Sequence, residues 1–380
     1  MLPRLISTSI KSTRKSVLLL GPRQVGKSTL IQSLKPDITL NLANLDTFLR
    51  VTSNPSELQD RLEASSARSV FIDEVQKYPP LLNSIQALLD EKKELKFFLT
   101  GSSARKLKRG RANLLPGRVI NFHLGPLIAG ELDYRADEEA LLRFGGLPEI
   151  YLEKTEIVRK QILRSYFANY IQEEIKAEAL VRNIDAFSRA IPFVISNAGK
   201  FVDYSKLAKQ SKISRHALSR FYEIFEDTLI GNRLWPDDRL LEKADLIKHP
   251  KFFVFDNGIY NALVGSFDAS EDRKGILFEQ LLYNQLLHSA WARDQEIKIA
   301  SFRTRGGLEA DFIVTLEGSR YCIEVKGARN LTTSDTDSIK KVATYEKGLT
   351  PMVAYLGKDS RKLNGVACHP WQKLLKELGL

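Results

Sequence analysis

The sequence predicts an α/β protein with an α/β domain at each end and a helical region between them. Near the N-terminus, an apolar strand runs into a glycine-rich loop that opens a helix, SVLLLGPRQVGKST. The middle of the chain shows helical periodicity, and near the C-terminus short strands alternate with glycine turns around the hexapeptide YCIEVK. A chain of 380 residues has room for two to four domains of ordinary size.

The glycine-rich loop has the spacing of a phosphate-binding loop. It matches GxxxxGK[ST] without a gap and follows an apolar strand, which is the context that this motif requires. Gly21 and Gly26 let backbone N–H groups close around phosphate oxygens, Lys27 reaches the β- and γ-phosphates, and Ser28 ligates Mg²⁺. We therefore expect ATP and Mg²⁺ to bind at Gly21, Pro22, Arg23, Gln24, Val25, Gly26, Lys27, Ser28 and Thr29.

Two further strands end in polar residues suited to the same site. The stretch SVFIDEVQ is a buried strand that ends in Asp73, placed to hold the Mg²⁺ shell, and Glu74, placed to polarise the attacking water. Adjacent acids at the end of an apolar strand are poor core material. The stretch KFFLT ends in Thr100, which is placed to reach the γ-phosphate or the lytic water, with an ordinary strand-end turn as the alternative.

The segments GPRQVGKST, NLANLD, VFIDEVQKYP, FFLTGSS and LPGRV together resemble one family. It is the AAA-type ATPases in which the ATP domain precedes a helical segment and a C-terminal domain of long-unassigned function. The resemblance implies an AAA+ P-loop ATPase that forms a homo-oligomeric ring, for which we expect a hexamer. It also implies an arginine-finger role for Arg118, with a surface arginine after a turn as the alternative; Arg164 is only a candidate for a second sensing arginine.

The charge balance favours a polyanionic partner such as DNA. The chain has 57 Lys and Arg against 46 Asp and Glu, a net charge of +11. One loop, ARKLKRGRANLLPGR, is strongly basic, and either contacts the DNA backbone or is simply solvated. The candidate contacts in this loop are Arg105, Lys108, Arg109 and Arg111.

Residues 200–235 have the pattern of a winged helix-turn-helix. A short helix from Tyr204 is followed by a turn and by a second helix capped by Ser214, and the segment GNRLW opens a wing. Apolar residues at spacings of three and four, from Leu218 to Leu229, form one stripe of the second helix. The candidate DNA contacts on the other side are Arg215, Ser219 and Arg220, and the alternative is a protein-docking module or a hinge.

The C-terminal region has the acids of a PD-(D/E)xK nuclease in the expected order. Glu279 interrupts the apolar helix ILFEQLLYNQLL, Asp311 lies in a strand after a Gly-Gly hairpin turn, and Glu324 and Lys326 share one face of YCIEVK. Asp311 and Glu324 are hard oxygen ligands suited to Mg²⁺, and Lys326 would orient the water. The alternative is a structural ion network in which Lys326 pairs with Glu324, Asp311 and Glu279.

We therefore expect four domains: an ATPase core over 1–127, a helical lid over 128–185, a winged helix over 186–243 and a restriction-endonuclease-like α/β domain over 244–380. The sequence has two cysteines without a CxxC pair and no apolar run near the ~18 residues needed to cross a bilayer, so we expect a cytoplasmic protein with no membrane partner. The leading hypothesis is an ATP-driven motor on duplex or branched DNA. A nucleotide switch that binds a protein partner and an ATP-gated metal-dependent nuclease stay open.

Overall fold

The computed structural model describes residues 2–102, 115–166, 168 and 184–380. The described chain divides into two compact units, the first running to Gly125 with Asp227–Leu229 and Trp291–Asp294, and the second holding the rest. The basic loop residues Arg105, Lys106, Lys108, Arg109 and Arg111 lie outside the described residues. The further division of the second unit into lid, winged helix and nuclease-like domain remains a prediction.

The first unit is built on a five-stranded sheet in which every pair is parallel, with the order β2-β3-β4-β1-β5. Its three central strands are apolar runs, because a parallel sheet is covered on both faces. All five strands end at the same edge, so the residues that follow them meet there. The strands are β1 Ser16–Leu20, β2 Ile38–Asn41, β3 Ser69–Asp73, β4 Lys96–Gly101 and β5 Val119–His123.

The helices of the first unit cover this sheet. In the helix Leu81–Glu91, Leu81, Leu82, Ile85 and Leu88 recur on one face and are buried in the core beside the strands. The expected mixed α/β architecture with a parallel sheet is confirmed. The other helices of this unit are Ser7–Ser12, Lys27–Gln32, Leu45–Ser53 and Glu57–Glu63, with a 3₁₀ turn at Val75–Lys77.

The second unit begins with helices. The predicted break at GGLPE separates two of them, since Gly145 has φ +72° and Pro148 opens the next helix. The helices of this part are Glu138–Phe144, Pro148–Leu152, Glu156–Ser165, Ile184–Ser196, Tyr204–Ser211 and Arg215–Asp227, after a 3₁₀ turn at Ala129–Leu132.

The expected helix-turn-helix pattern has clear caps. The side chain of Asp203 accepts bonds from two N–H groups of the first helix, and Ser214 Oγ accepts the N–H of Ala217 in the second. The second helix ends at Asp227, so Leu229, with φ +58°, lies beyond it and not on its apolar stripe. Strand β6, Gly231–Leu234, then pairs antiparallel with β7, Lys251–Val254.

The C-terminal part is a six-stranded sheet with the order β12-β13-β11-β10-β9-β8. Gly307 has φ +89° in the predicted hairpin turn between β8 and β9, and Glu317 and Gly318 both have positive φ between β9 and β10. The strands are β8 Ile297–Arg303, β9 Glu309–Leu316, β10 Ser319–Lys326, β11 Thr350–Tyr355, β12 Arg361–Leu363 and β13 Val366–Pro370.

The remaining helices lie in the second unit, except that Trp291 and Ala292, at the end of the long helix around Glu279, belong to the first. The predicted helix around Glu279 is part of a longer one, Glu271–Ala292. In the part of the chain that the structure describes, none of the helices has the length and apolar character needed to cross a membrane. The other helices are Leu241–Ala244, Asn257–Val264, Asp337–Ala343 and Trp371–Glu377, with a 3₁₀ turn at Thr333–Thr336.

Candidate functional site

The predicted phosphate-binding loop lies between β1 and the helix Lys27–Gln32. Gly26 has φ +92°, and a Cβ at Gly21 would lie 2.1 Å from the carbonyl oxygen of Leu124, so neither position accepts a larger residue without strain. Lys27 is buried, and its Nζ donates to the carbonyl oxygens of Gly21 (2.9 Å) and Pro22 (2.7 Å). The loop therefore folds around its own lysine ammonium, an arrangement that fits a polyphosphate.

Ser28 and Asp73 meet at the carboxyl edge of the sheet. Ser28 Oγ lies 2.9 Å from Asp73 Oδ1, although the two residues are 45 positions apart in sequence. They come together because the loop leaves β1 and Asp73 ends β3 at the same edge of a parallel sheet. A hydroxyl and a carboxylate in this arrangement are hard oxygen ligands and fit the Mg²⁺ of a nucleotide complex.

Thr100, at the end of β4, bonds to both predicted acids. Its Oγ1 donates to Asp73 Oδ1 and accepts the backbone N–H of Glu74 at 3.2 Å, and the side chain is fully buried. The sequence led us to expect a contact with phosphate or water. In the structure the hydroxyl joins the two acidic residues, and its contact with phosphate or water stays a prediction.

Glu74 has a left-handed backbone, with φ +58° and ψ +46°. Its carboxylate accepts bonds from the Nε2 of Gln76 and from Ser102 Oγ (3.3 Å), and Gln76 Nε2 also bonds to Ser102 Oγ at 3.0 Å. Gln76 and Ser102 were not predicted as site residues. The available signal for Gln76 was a polar residue two positions after Glu74, directly after the apolar Val75.

Arg4 is a second residue that sequence reasoning missed. Its Nη1 donates to the carbonyl oxygen of Val25 in the phosphate-binding loop at 2.6 Å, and its Nη2 donates to that of Gly125 at 2.7 Å. The arginine is largely buried and joins the loop to the segment that follows β5. Nothing in the local pattern around Arg4 indicates this contact, because both partners are distant in sequence.

The two arginines expected to sense nucleotide have other partners in the structure. Arg118 makes a two-point ion pair with Asp90, with Nε–Oδ1 at 2.6 Å and Nη2–Oδ2 at 3.0 Å, and this carboxylate raises the pKa of the guanidinium. The pair is partly exposed to solvent. The guanidinium of Arg164 lies 5.8 Å from the ring centre of Phe267.

The C-terminal acids are joined by a lysine that the sequence analysis did not single out. The ammonium of Lys251 lies 2.8 Å from Glu279 Oε1, 3.0 Å from Glu309 Oε1 and 3.6 Å from Asp311 Oδ1. Glu309 and Asp311 share a face of β9, and Glu279 comes from the long helix. We call Lys251, Glu279, Glu309 and Asp311 the acid cluster.

The predicted pair on YCIEVK is present beside this cluster. Lys326 Nζ lies 2.8 Å from Glu324 Oε1, and the backbone N–H of Val325 donates to Asp311 Oδ2 at 2.8 Å. Burial, with a contribution from Asp311, raises the pKa of Glu279 to about 8 and that of Glu324 to about 7. Among the described residues, no three His, Cys, Asp or Glu side chains are grouped so that they could hold a metal ion.

The candidate DNA contacts of the second helix are mostly accessible. Arg215 and Arg220 are exposed and Ser219 is half-buried, whereas Leu218 and Phe221 face the interior. This arrangement agrees with the amphipathic pattern and leaves a basic face open to solvent.

Three family models match consecutive segments of the chain. Residues 13–132 match an AAA domain, residues 135–270 match a domain of unknown function (DUF8612), and residues 274–374 match another (DUF4143). Lys251 thus belongs to the second segment, while the three acids that it contacts belong to the third.

Curated relatives match most of this chain. Uncharacterized proteins of Mycobacterium tuberculosis and Methanocaldococcus jannaschii are 25% and 24% identical over 320 and 318 residues, covering 82% and 77% of this chain and 70% and 67% of theirs. An uncharacterized protein of Haemophilus influenzae is 22% identical over 365 residues, 90% of this chain and 87% of its own.

Solved structures with similarity include one of Pif1 helicases at forked duplex DNA, with 13% identity over 46% of this chain and 53% of that one. Another is the replication initiator DnaA with AMPPCP and single-stranded DNA, with 11% identity over 58% and 86%. Both have a TM-score of 0.27, which is too low to indicate a shared fold. The AAA-domain match and the geometry of the loop together support one conclusion: residues 13–132 form an AAA-type P-loop ATPase domain.

Proposed function

We propose that the protein is an ATP-hydrolysing motor that processes DNA, acts as a homo-oligomeric ring and works in the cytoplasm. The observation that carries the proposal is the meeting of Ser28, Asp73, Glu74 and Thr100 at the ends of three parallel strands, beside the phosphate-binding loop. The finer assignments, a winged helix, a nuclease-like C-terminal fold and a hexamer, are parts of this proposal and rest on the sequence patterns.

The residues of the site divide the work of hydrolysis. ATP with Mg²⁺ supplies the phosphoanhydride bond whose cleavage drives the motor. Lys27 and the loop N–H groups hold the phosphates, Ser28 and Asp73 hold the metal, and Glu74 takes a proton from the attacking water. Arg118 of one subunit completes the site of its neighbour.

Positive charge supports DNA as the partner. The net charge is +11, and Arg215 and Arg220 are exposed on the second helix of the helix-turn-helix pattern. Phosphate contacts of this kind weaken as salt rises, because binding releases counterions from the DNA.

ATP turnover measured with duplex, branched and single-stranded DNA at low salt tests the motor. We expect at least one DNA to stimulate turnover, and the double variant Arg215→Ala/Arg220→Ala to lose most of the stimulation and part of its salt dependence. The control is Arg361→Ala/Lys362→Ala, which removes the same charge from exposed positions on β12. Turnover that none of the three DNAs changes would contradict the motor and favour the nucleotide switch.

Mixing two inactive variants tests the shared site. The Arg118→Ala variant lacks the proposed arginine finger but keeps an intact phosphate-binding loop. The Lys27→Ala variant has no ATP turnover of its own but keeps Arg118. If the subunits form a ring, the mixture should recover activity. At some subunit interfaces, the intact phosphate-binding loop of an Arg118→Ala subunit then faces the intact Arg118 of a Lys27→Ala subunit. Asp90→Ala is the control for loss of the ion pair alone. Full turnover by Arg118→Ala, or an unchanged monomer mass with ATP and DNA, would contradict the shared site.

A further inference from the structure

The ammonium of Lys251 lies among the carboxylates of the acid cluster, where the negative charge favours a cation. Its ammonium is within 3.6 Å of carboxylate oxygens from Glu279, Glu309 and Asp311, and its side chain is only 3% exposed. The three acids come from two elements, and Lys251 comes from a third, the first residue of β7. A cation enclosed by three acids is the arrangement that a metal ion would otherwise produce.

We propose that Lys251 is the built-in cation of the acid cluster and replaces a divalent metal there, so that the C-terminal domain neither binds Mg²⁺ nor cuts DNA. The proposal goes beyond the ATPase function and does not depend on it. The sequence left two interpretations of the YCIEVK region open, a metal site and a structural ion network. The proposal favours the ion network, and it places Lys251 at the centre of that network in the role that the sequence analysis gave to Lys326.

The backbone holds Lys251 in place. The backbone of Lys251 pairs with that of Leu234 in β6, and it forms an isolated antiparallel β-bridge with Phe201. The ring of Phe201 lies 5.1 Å from the ammonium and adds a cation–π contact. Moving the ammonium out of the cluster would therefore require changes on both sides of β7.

Among the described residues, the three acids of the cluster and Glu324 each have a partner. Glu309 also pairs with Arg303 at 3.3 Å, Asp311 accepts the N–H of Val325, and Glu324 pairs with Lys326. Mg²⁺ needs close to octahedral geometry with oxygens at about 2.0–2.1 Å. The ammonium of Lys251 lies among the carboxylate oxygens of the acid cluster and leaves no position for Mg²⁺ there. The positive charges of the ammonium and of Mg²⁺ would also repel each other.

If the ammonium of Lys251 replaces a metal ion, then removing its charge should have a measurable effect on metal binding. Replacing Lys251 by methionine keeps the length of the stem and removes the charge, which leaves buried carboxylates without their cation. Such a group of oxygens gains affinity for a divalent metal, because the metal restores the missing positive charge. In the wild type, the ammonium of Lys251 already supplies this positive charge.

Binding of Mn²⁺ to the full-length protein, followed by the EPR signal of free Mn²⁺, tests the proposal. All proteins carry Ser28→Ala and are free of nucleotide, so that the P-loop does not contribute a site. We expect no Mn²⁺ site in this background that depends on Asp311, and one new site in Lys251→Met, bound at least tenfold more tightly. The site should vanish in Lys251→Met/Asp311→Asn, and Lys326→Met should not create it.

Three results would overturn the proposal. One is Mn²⁺ binding by the Ser28→Ala protein that Asp311→Asn abolishes. Another is a folded Lys251→Met protein, by its ellipticity, that gains no Mn²⁺ site. The third is cutting of plasmid DNA by the wild type with Mg²⁺ or Mn²⁺ that Asp311→Asn abolishes. If Lys251→Met does not fold, the first and third measurements, made without that variant, still decide the matter.

Discussion

Ser28 Oγ and Asp73 Oδ1 lie 2.9 Å apart, which joins the phosphate-binding loop to the end of β3. The hydrogen bond between them holds in place the two oxygens that we propose as ligands of Mg²⁺. Thr100 fixes the other side of the geometry by donating to the same carboxylate oxygen. The ATP site is therefore organised by contacts between strand ends and depends on the register of the parallel sheet.

The charge of Asp73 should matter more than its hydrogen bonds. In Asp73→Asn the side chain keeps its size and an oxygen for Ser28, but it loses the negative charge that attracts Mg²⁺. We expect ATP turnover to fall by roughly 100-fold or more, about 3 kcal/mol, with binding of a fluorescent ATP analogue largely kept. Near-normal turnover in Asp73→Asn would contradict its place as a metal ligand.

Thr100 should act through its hydroxyl and not its shape. Thr100→Val has nearly the same volume, but it leaves the N–H of Glu74 without its acceptor and Asp73 with Ser28 as its remaining side-chain donor, a loss of roughly 1–3 kcal/mol. We expect a lower kcat with a similar KM for ATP, and recovery in Thr100→Ser, which restores the hydroxyl. Equal kcat values for the valine and serine variants would exclude this role.

Arg4 should affect nucleotide binding by holding the loop. Without its bonds to the carbonyls of Val25 and Gly125, the loop loses two charge-assisted contacts. We expect Arg4→Ala to raise the KM for ATP several-fold with a smaller change in kcat, and Arg4→Lys to recover part of the loss. Arg14→Ala, at an exposed position of the same unit, is the control and should leave both constants unchanged.

Asp256 should make the stability of the second unit depend on pH. Its buried carboxylate accepts the N–H groups of Gly146 (2.7 Å) and Ile259 (3.1 Å), yet burial raises its pKa from 3.8 to about 6. The folded state then binds more protons than the unfolded state between these values. The contribution of this group to stability is therefore present at low pH and lost as pH rises through about 6.

Chemical denaturation of the wild type and Asp256→Asn at pH 4, 5, 6 and 7 measures this effect. We expect the free energy of unfolding of the wild type, relative to the variant, to fall with rising pH by up to about 3 kcal/mol. The difference between the two proteins cancels the other groups that titrate in this range. Parallel profiles for the two proteins would show that Asp256 does not titrate as its burial requires.

Features encoded by neighbouring residues were predictable from sequence. The loop from Gly21 to Ser28 is contiguous, its conformation depends on local glycines, and its strand is an apolar run. The helix Glu138–Phe144 and the two glycine turns of the C-terminal hairpins appear where their residues predict them. The strength of these signals comes from backbone sterics and periodicity, which a short window of sequence contains.

Contacts between distant segments were not predictable, because sheet register and packing determine them. Arg4 reaches Val25 and Gly125, and Gln76 bonds to Ser102, only once the strands are aligned. The same holds for the acid cluster: the pattern indicated Glu279 and Asp311 and named Lys326 as their partner.

By itself, the sequence determined that an ATP-binding loop and a set of C-terminal acids exist. Only the tertiary structure decided which cation those acids hold. The choice of Lys251 depends on β7 lying where its first residue enters the cluster, and on the free energy that buried carboxylates gain from a fixed positive charge.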